Sequence, residues 1–202
     1  MKLYYSKGAC SLTIRILLHE MGIPSDYEAV DLQHKKTADG EDFLSINPKG
    51  AVPTLRLENG KILTENGAIM QYLADHYQAE NLLPRVGDWQ RYRVLEWMNF
   101  ITTELHKGFG PLFNPQISQA LRDEVFIPIL MRKFHYVDQC LTEHTYLLGN
   151  HFMLADAYLF VMLRWAIGQK FDMTPCTRLM AYYTHLKSRK SIADALAKEG
   201  IA

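Results

Sequence analysis

The chain has 202 residues, 48% apolar and 22% charged, which suits one or two domains with a sizeable core and excludes long-range disorder. Twenty-two Lys and Arg balance twenty-two Asp and Glu, removing the bulk attraction that nucleic acid and anionic lipid require, so neither nucleic acid nor a membrane is expected as a partner. The three cysteines, Cys10, Cys140 and Cys176, are odd in number and scattered. They suit neither a disulfide framework nor a metal knot, and a reducing cytoplasm is the expected compartment. The start, Met1-Lys2-Leu3-Tyr4-Tyr5-Ser6-Lys7, shows no apolar h-region, and the apolar stretches near Phe126–Met131 and Ala157–Leu163 fall short of the roughly 18 residues of a spanning helix, so neither a classical secretion signal nor a membrane span is expected.

Residues 1 to about 77 alternate between strand and helix patterns. Lys2 to Ser6 reads as a short strand, Ser11 to Met21 as a helix stopped by Gly22 and Pro24, and Tyr27 to Asp31 as a second strand. This βαβ order predicts neighbouring parallel strands. A loop rich in Lys and Asp follows, then the turn-like Asn47-Pro48-Lys49-Gly50 and a strand near Pro53 to Leu57. Glu58-Asn59-Gly60 predicts a tight hairpin into a strand near Lys61 to Leu63, and a helix from about Glu65 to Tyr77 closes the segment. After Leu83-Pro84 helical patterns run from about Gly87 to Lys198. The boundary is expected at residues 78 to 87, giving domains over 1–80 and 87–202. The sequence contains no Gly-x-Gly-x-x-Gly and no P-loop, so nucleotide binding has no support.

Cys10 falls between the first strand and the first helix, where backbone N–H groups and the helix dipole favour a thiolate. A buried free cysteine is the alternative reading, and placement favours the reactive one. Cys10-Ser11-Leu12-Thr13 has no local resolving thiol, which disfavours dithiol chemistry. Cys140 and Cys176 read as packing residues. Val52-Pro53 is either an ordinary trans proline opening an edge strand or a cis peptide presenting the Val52 backbone to an extended ligand. Thr64-Glu65-Asn66-Gly67 is explained by helix capping, while the same geometry also suits a ligand carrying an ammonium and a carboxylate on one carbon. Asn99, Thr103 and His106 stand at i, i+4 and i+7 of a helix beginning near Asp88, a polar stripe that faces either water or a cleft. His106 there is placed to donate to a thiol ligand or to Cys10. The eight histidines show no His-x-x-x-His pair or carboxylate cluster, so no metal is expected.

Taken together, the runs Tyr4 to Leu12, Asn47 to Leu55 and Leu63 to Leu73 resemble the glutathione transferase family. Trp97-Met98-Asn99-Phe100, Glu104 to Phe109 and Ala155 to Phe160 are similar to its bacterial beta class. The resemblance runs over nearly the whole chain. It implies an α/β plus all-α fold, with a thioredoxin-like N-terminal domain followed by a helical-bundle C-terminal domain, and a homodimer with glutathione as co-substrate at the domain junction. It further implies that Cys10 contacts or disulfide-bonds the glutathione sulfur and that Val52, before Pro53 at the cis position, pairs with the glutathione backbone. Glu65 and Asn66 match the grip on the γ-glutamyl ammonium and carboxylate. Lys35 and Asn99 match positions that reach the ligand, and the stretch Thr103-Glu104-Leu105-His106 approaches it, in part from the partner chain.

The sequence departs from the family's pattern in three places. Lys7 stands where Pro is common, Thr13-Ile14-Arg15 replaces a frequent Ala-Pro-His or Ser-Pro-His and puts an Arg near the mouth of the site, and Met153 replaces the usual Ser or Thr cap before Asp156. The expected activity is conjugation of glutathione to small hydrophobic electrophiles in detoxification, with no other cofactor. Glutathione-dependent thiol–disulfide exchange through Cys10 and tuning of the sulfur by His106 are expected alongside it. A monothiol, glutaredoxin-like reductase and a non-catalytic hydrophobic-ligand binder are the competing readings.

Overall fold

The computed structural model describes residues 1–142 and 144–202, which form two compact units: residues 1–80 with 187–202, and residues 81–186. In the first unit β1 (Lys2–Tyr5), α1 (Leu12–Glu20) and β2 (Asp26–Asp31) form the expected βαβ motif, with Leu3 in register with Tyr27 and the strands parallel. Next come β3 (Lys36–Thr37), α2 (Phe43–Ile46), β4 (Thr54–Arg56), β5 (Ile62–Thr64) and α3 (Asn66–His76). The sheet order is β3-β2-β1-β4-β5, antiparallel everywhere except β1 with β2. The Asn59-Gly60 hairpin forms as predicted: Gly60 takes φ +81°, and the Lys61 N–H donates to Asn59 Oδ1 at 3.1 Å.

Leu3 and Tyr4 point to opposite faces of β1, and both are buried, so the sheet is covered on both sides. Tyr4 packs with Val30, Phe43, Ile46 and Val52. This explains why α2 exists, although the sequence indicated only a loop there: Phe43 and Ile46 bring apolar cover, and the Asp42 carboxylate caps the turn by accepting from the Leu44 N–H at 3.0 Å.

Helix α1 is buried from Leu12 to Leu18, Arg15 included. A helix apolar on all sides needs neighbours all round, and part of its cover comes from α10 (Lys190–Glu199), which follows α9 (Thr177–Lys187). At one end of α10, Arg189 Nε donates to Glu20 Oε2 at 2.8 Å and Ser191 Oγ donates to the same oxygen. At the other end, Arg15 Nε donates to Glu199 Oε1 at 3.1 Å. The two helices therefore run antiparallel. Residues 187–202, grouped with the helical segment by sequence pattern, pack on the first unit instead. The expectation of Arg15 at a site mouth is likewise corrected: its side chain is 3% exposed and ion-paired.

The second unit is helical over its elements: α4 (Trp89–Phe100), α5 (Gly110–Phe113), α6 (Gln119–Leu121), α7 (Ile127–Cys140), α8 (Leu154–Gly168) and most of α9. Two stretches, Ile101–His106 and Arg122–Phe126, widen to π-helical turns. Helix α8 is buried along most of its length. At its start the buried Asp156 carboxylate accepts from the N–H groups of Leu147 (3.0 Å) and Met153 (2.8 Å) and from the Tyr182 hydroxyl (2.7 Å). Asp156 thus supplies the cap although Met153 brings no hydroxyl. Burial, and then the Asp156 charge, push the Tyr182 phenol well above its ordinary range. Among the described residues no helix is long and apolar enough to cross a membrane.

Substituting Asp156→Ala strands the buried Leu147 N–H and Tyr182 hydroxyl and the half-buried Met153 N–H and is expected to cost about 3 kcal/mol or more, against about 1 kcal/mol for Tyr182→Phe, in denaturant unfolding. Burial and the Arg15 charge depress the His19 pKa below 6.5. Burial would raise Glu20, but the hydrogen bonds from Arg189 and Ser191 outweigh it and bring that carboxyl below 4.5. Both folded-state values lie under the unfolded ones, so the unfolded chain binds protons first on acidification and stability falls with falling pH. The loss is expected to begin near pH 6.5 through His19 and to continue below pH 4.5 through Glu20. In pH-dependent melting curves, His19→Asn should flatten the upper window and Glu20→Gln the lower.

Candidate functional site

The strand-to-helix connection of the first unit places Cys10 immediately before the N-cap residue Ser11 of α1. The turn is closed by its own backbone: the Ala9 N–H donates to the Ser6 carbonyl at 3.0 Å, Leu12 to Ala9 at 3.0 Å and Thr13 to Cys10 at 3.1 Å. Carbonyls of the turn thus occupy the amides of Ala9, Leu12 and Thr13. The 9% exposed Cys10 instead donates its thiol to the Val52 carbonyl at 3.3 Å. That bond needs the proton on sulfur.

Val52-Pro53 is cis, between Gly50 and β4. Asn47 braces this loop by donating through Nδ2 to the Ala51 carbonyl and to Thr54 Oγ1, both at 2.9 Å. Asn66, at the start of α3, donates through Nδ2 to the Cys10 carbonyl at 3.1 Å, while its Oδ1 is buried and has no hydrogen-bond partner among the described residues. Three segments distant in sequence thus meet at Cys10: the turn itself, Val52 and Asn66.

Glu65 precedes α3 with φ +72°, a left-handed conformation that a non-glycine residue holds only at a cost, and such positions cluster at ligand clamps. Its carboxylate is 70% exposed and pairs with Lys49 Nζ at 2.7 Å. The same ammonium donates to Thr64 Oγ1 at 3.0 Å. Lys35, also left-handed at φ 55°, donates through Nζ to the Gly50 carbonyl at 2.8 Å. Lys49 was not singled out from sequence. Its place in the Asn47-Pro48-Lys49-Gly50 turn is its only sequence mark.

Asn99, Thr103, Glu104, Leu105 and His106 belong to the second unit. The polar stripe drawn at 3.6 residues per turn changes phase where α4 gives way to the π-helical turn at Ile101. Such turns are rare and often sit at functional positions. Asn99 and Thr103 are exposed, and Thr103 Oγ1 donates to the Asn99 carbonyl at 3.0 Å. Hydrogen bonding from Lys133 at 2.6 Å holds the Glu104 carboxyl below its ordinary range. The Leu105 side chain is fully buried, leaving its backbone as the only part able to meet a ligand. His106 Nδ1 hydrogen-bonds the Tyr158 hydroxyl at 2.5 Å, and its ring lies edge-on to Trp165 with centroids 5.1 Å apart. Tyr158 and Trp165 were missed in sequence because both fall in the apolar run of α8, where aromatic residues read as core.

The family described as "Glutathione S-transferase, N-terminal domain" matches residues 8–76, and its C-terminal-domain counterpart matches residues 119–185. Glutathione S-transferase GstA of Escherichia coli O157:H7 is 42% identical over 201 residues, with all of both chains covered. The structure of a bacterial beta-class glutathione S-transferase from Sphingomonas chungbukensis is similar with TM-score 0.95 at 40% identity, again covering 100% of both chains. A sphingomonad enzyme solved in complex with glutathione is similar with TM-score 0.94 at 40% identity and the same coverage.

The bond from Asn66 to the Cys10 carbonyl gives a local test. Asn66→Ala removes a buried donor and leaves the Cys10 carbonyl with the Thr13 N–H alone, at an expected cost of about 1 kcal/mol in chemical unfolding. Asn66→Asp, which cannot donate while ionised, should cost at least as much.

Proposed function

We propose, for this chain, which belongs to the glutathione S-transferase family in its bacterial beta class, that the first unit anchors glutathione around Cys10 for the transfer of an electrophile to the glutathione sulfur. The observation that carries this reading is the convergence of the Cys10 thiol, the Val52 carbonyl and the Asn66 amide. Val52 supplies backbone groups for the extended tripeptide beside Pro53. Glu65 and Asn66 hold the γ-glutamyl ammonium and carboxylate. Support for Glu65 comes from its present pairing with the Lys49 ammonium, the same chemical group that it would take from the ligand. Lys35 joins by exchanging Gly50 for the ligand. Asn99 and the stretch Thr103-Glu104-Leu105-His106 supply further contacts, Leu105 through its backbone, and His106 is oriented by Tyr158.

In conjugation the glutathione thiolate attacks the electrophilic carbon of a small hydrophobic substrate. The new bond is C–S, the leaving group departs with the electron pair, and the thiol proton passes to solvent. No metal or further cofactor enters this step. With oxidised glutathione as co-reactant, the Cys10 thiolate attacks one of its sulfurs, a protein–glutathione disulfide forms, and one glutathione thiolate leaves. His106, in the second unit, is the residue assigned to tune the sulfur in either reaction, and its orientation by Tyr158 supports that assignment. The reading extends to a homodimer, to residence in the cytoplasm and to detoxification.

Oxidised glutathione is expected to modify Cys10 in preference to Cys140 and to Cys176, whose thiol burial pushes above its ordinary range. Peptide mass spectrometry, with reversal by dithiothreitol, reads this directly. An adduct on Cys140 or Cys176 with Cys10 untouched contradicts the assignment. Cys10→Ala should lose the adduct and the exchange activity yet keep measurable conjugation of chlorodinitrobenzene, because the attacking sulfur there belongs to glutathione. His106→Ala should lower both activities by about 10-fold or more. Sedimentation of a fully active monomer would rule out the dimer.

A further inference from the structure

We propose that Glu199, on the last turn of α10, is a positioning residue for the Cys10 turn: its buried carboxylate fixes Gly8 by the backbone amide and α1 by Arg15. The inference rests on the reading of Cys10 as part of the glutathione centre. One carboxylate oxygen, Oε2, accepts from the Gly8 N–H at 2.8 Å, and the other, Oε1, accepts from Arg15 Nε at 3.1 Å. The Arg15 and Glu199 side chains are 3% and 0% exposed. The guanidinium carbon lies 4.3 Å from the Tyr5 ring centroid and 3.8 Å from that of Tyr27, so the cation is held between two aromatic faces.

Gly8 lies two residues before Cys10, and its φ of +69° suits glycine. The turn is tied to the end of β1 by the Ser6 N–H, which donates to Ser11 Oγ at 3.2 Å, and to α3 by Asn66. Between these ties the Gly8 amide is held from a helix nearly the whole sequence away. That helix is itself anchored at its start by Arg189 and Ser191 on Glu20. A carboxylate that divides its oxygens between a buried cation and a turn amide couples the position of α1 to the path of the turn above it. Displacing a reacting group by about 1 Å can cost about a hundredfold in rate, so this coupling bears on the chemistry without touching the substrate.

Two double variants test the role, because losing one member alone strands a buried charge. Arg15→Leu with Glu199→Leu removes the ion pair and the acceptor for Gly8 while keeping apolar packing. Arg15→Gln with Glu199→Gln removes the charges but retains a carbonyl oxygen within reach of the amide. The leucine pair is expected to raise the glutathione KM about tenfold with a smaller change in kcat, and to speed alkylation of Cys10 by iodoacetamide about tenfold; the glutamine pair should bring both back most of the way. A leucine pair that folds cooperatively with unaltered KM and alkylation rate overturns the proposal, as do two pairs that fall equally. In the unaltered protein, hydrogen exchange at the Gly8 amide should be slowed about a hundredfold or more, and exchange at the unfolded-chain rate overturns the proposal even if the leucine pair does not fold. Absence of glutathione turnover in the unaltered protein would sink the functional reading instead. Alkylation and amide exchange, which use no glutathione, still decide the role of Glu199.

Discussion

A cation in the middle of a helix that is buried on every side has to find an anion, and in the first unit that anion arrives from α10. Burying Arg15 and Glu199 removes both from water, a penalty of several kcal/mol for each ion that only close pairing and further hydrogen bonds offset. Three compensations are present: the ion pair itself, the Gly8 amide on the second carboxylate oxygen, and two tyrosine rings against the guanidinium. Residues 187–202 consequently belong to the same compact unit as the sheet. Without them α1 would lose apolar cover along one side and Arg15 would lose its charge partner.

Where the chemistry stands follows from that packing. Once α1 is fixed along β1 and α10, its N-terminal turn has little freedom, and Cys10 is carried to the loop that holds Val52. Asn66 completes the placement from α3 through the Cys10 carbonyl, a backbone group, and so acts whatever the state of the sulfur. In the second unit the corresponding fixed point is Asp156. It ties the Leu147 segment, the start of α8 and Tyr182 together, and α8 in turn carries the Tyr158 hydroxyl that orients His106. In both units a buried carboxylate holds the helix on which the candidate chemistry depends.

These relations divide into those a linear pattern can carry and those it cannot. β1, α1, β2 and the β4–β5 hairpin are legible because each has its own period or stop signal: alternation in the strands, Gly22 after α1, Asn59-Gly60 at the turn. β3 and α2 are too short for any period to show, and Asp42 is an ordinary turn residue until its cap is seen. Cys10 stands out by position alone, whereas its acceptor is a backbone carbonyl, which leaves no mark in a sequence. The stripe through Asn99, Thr103 and His106 was drawn at 3.6 residues per turn, and the π-helical turn changes that phase. Arg15 reads as exposed because a lone cation on a helix usually is. Only the distant Glu199 makes its burial tolerable.

The hydrogen bond between Cys10 and Val52 also links binding to reactivity. A carbonyl that accepts from the thiol stabilises the protonated sulfur, the unreactive form. An extended ligand that pairs with the Val52 backbone competes for that same oxygen. As ligand N–H replaces thiol S–H there, the sulfur loses the partner that favoured its proton. In the reading proposed above, the bond acts as a local restraint that favours the protonated form of the buried thiol until a ligand pairs with the Val52 backbone. Such a restraint acts only if the turn is held firmly enough for a 3.3 Å contact to persist, and that firmness comes from Asn66 on one side and Gly8 on the other.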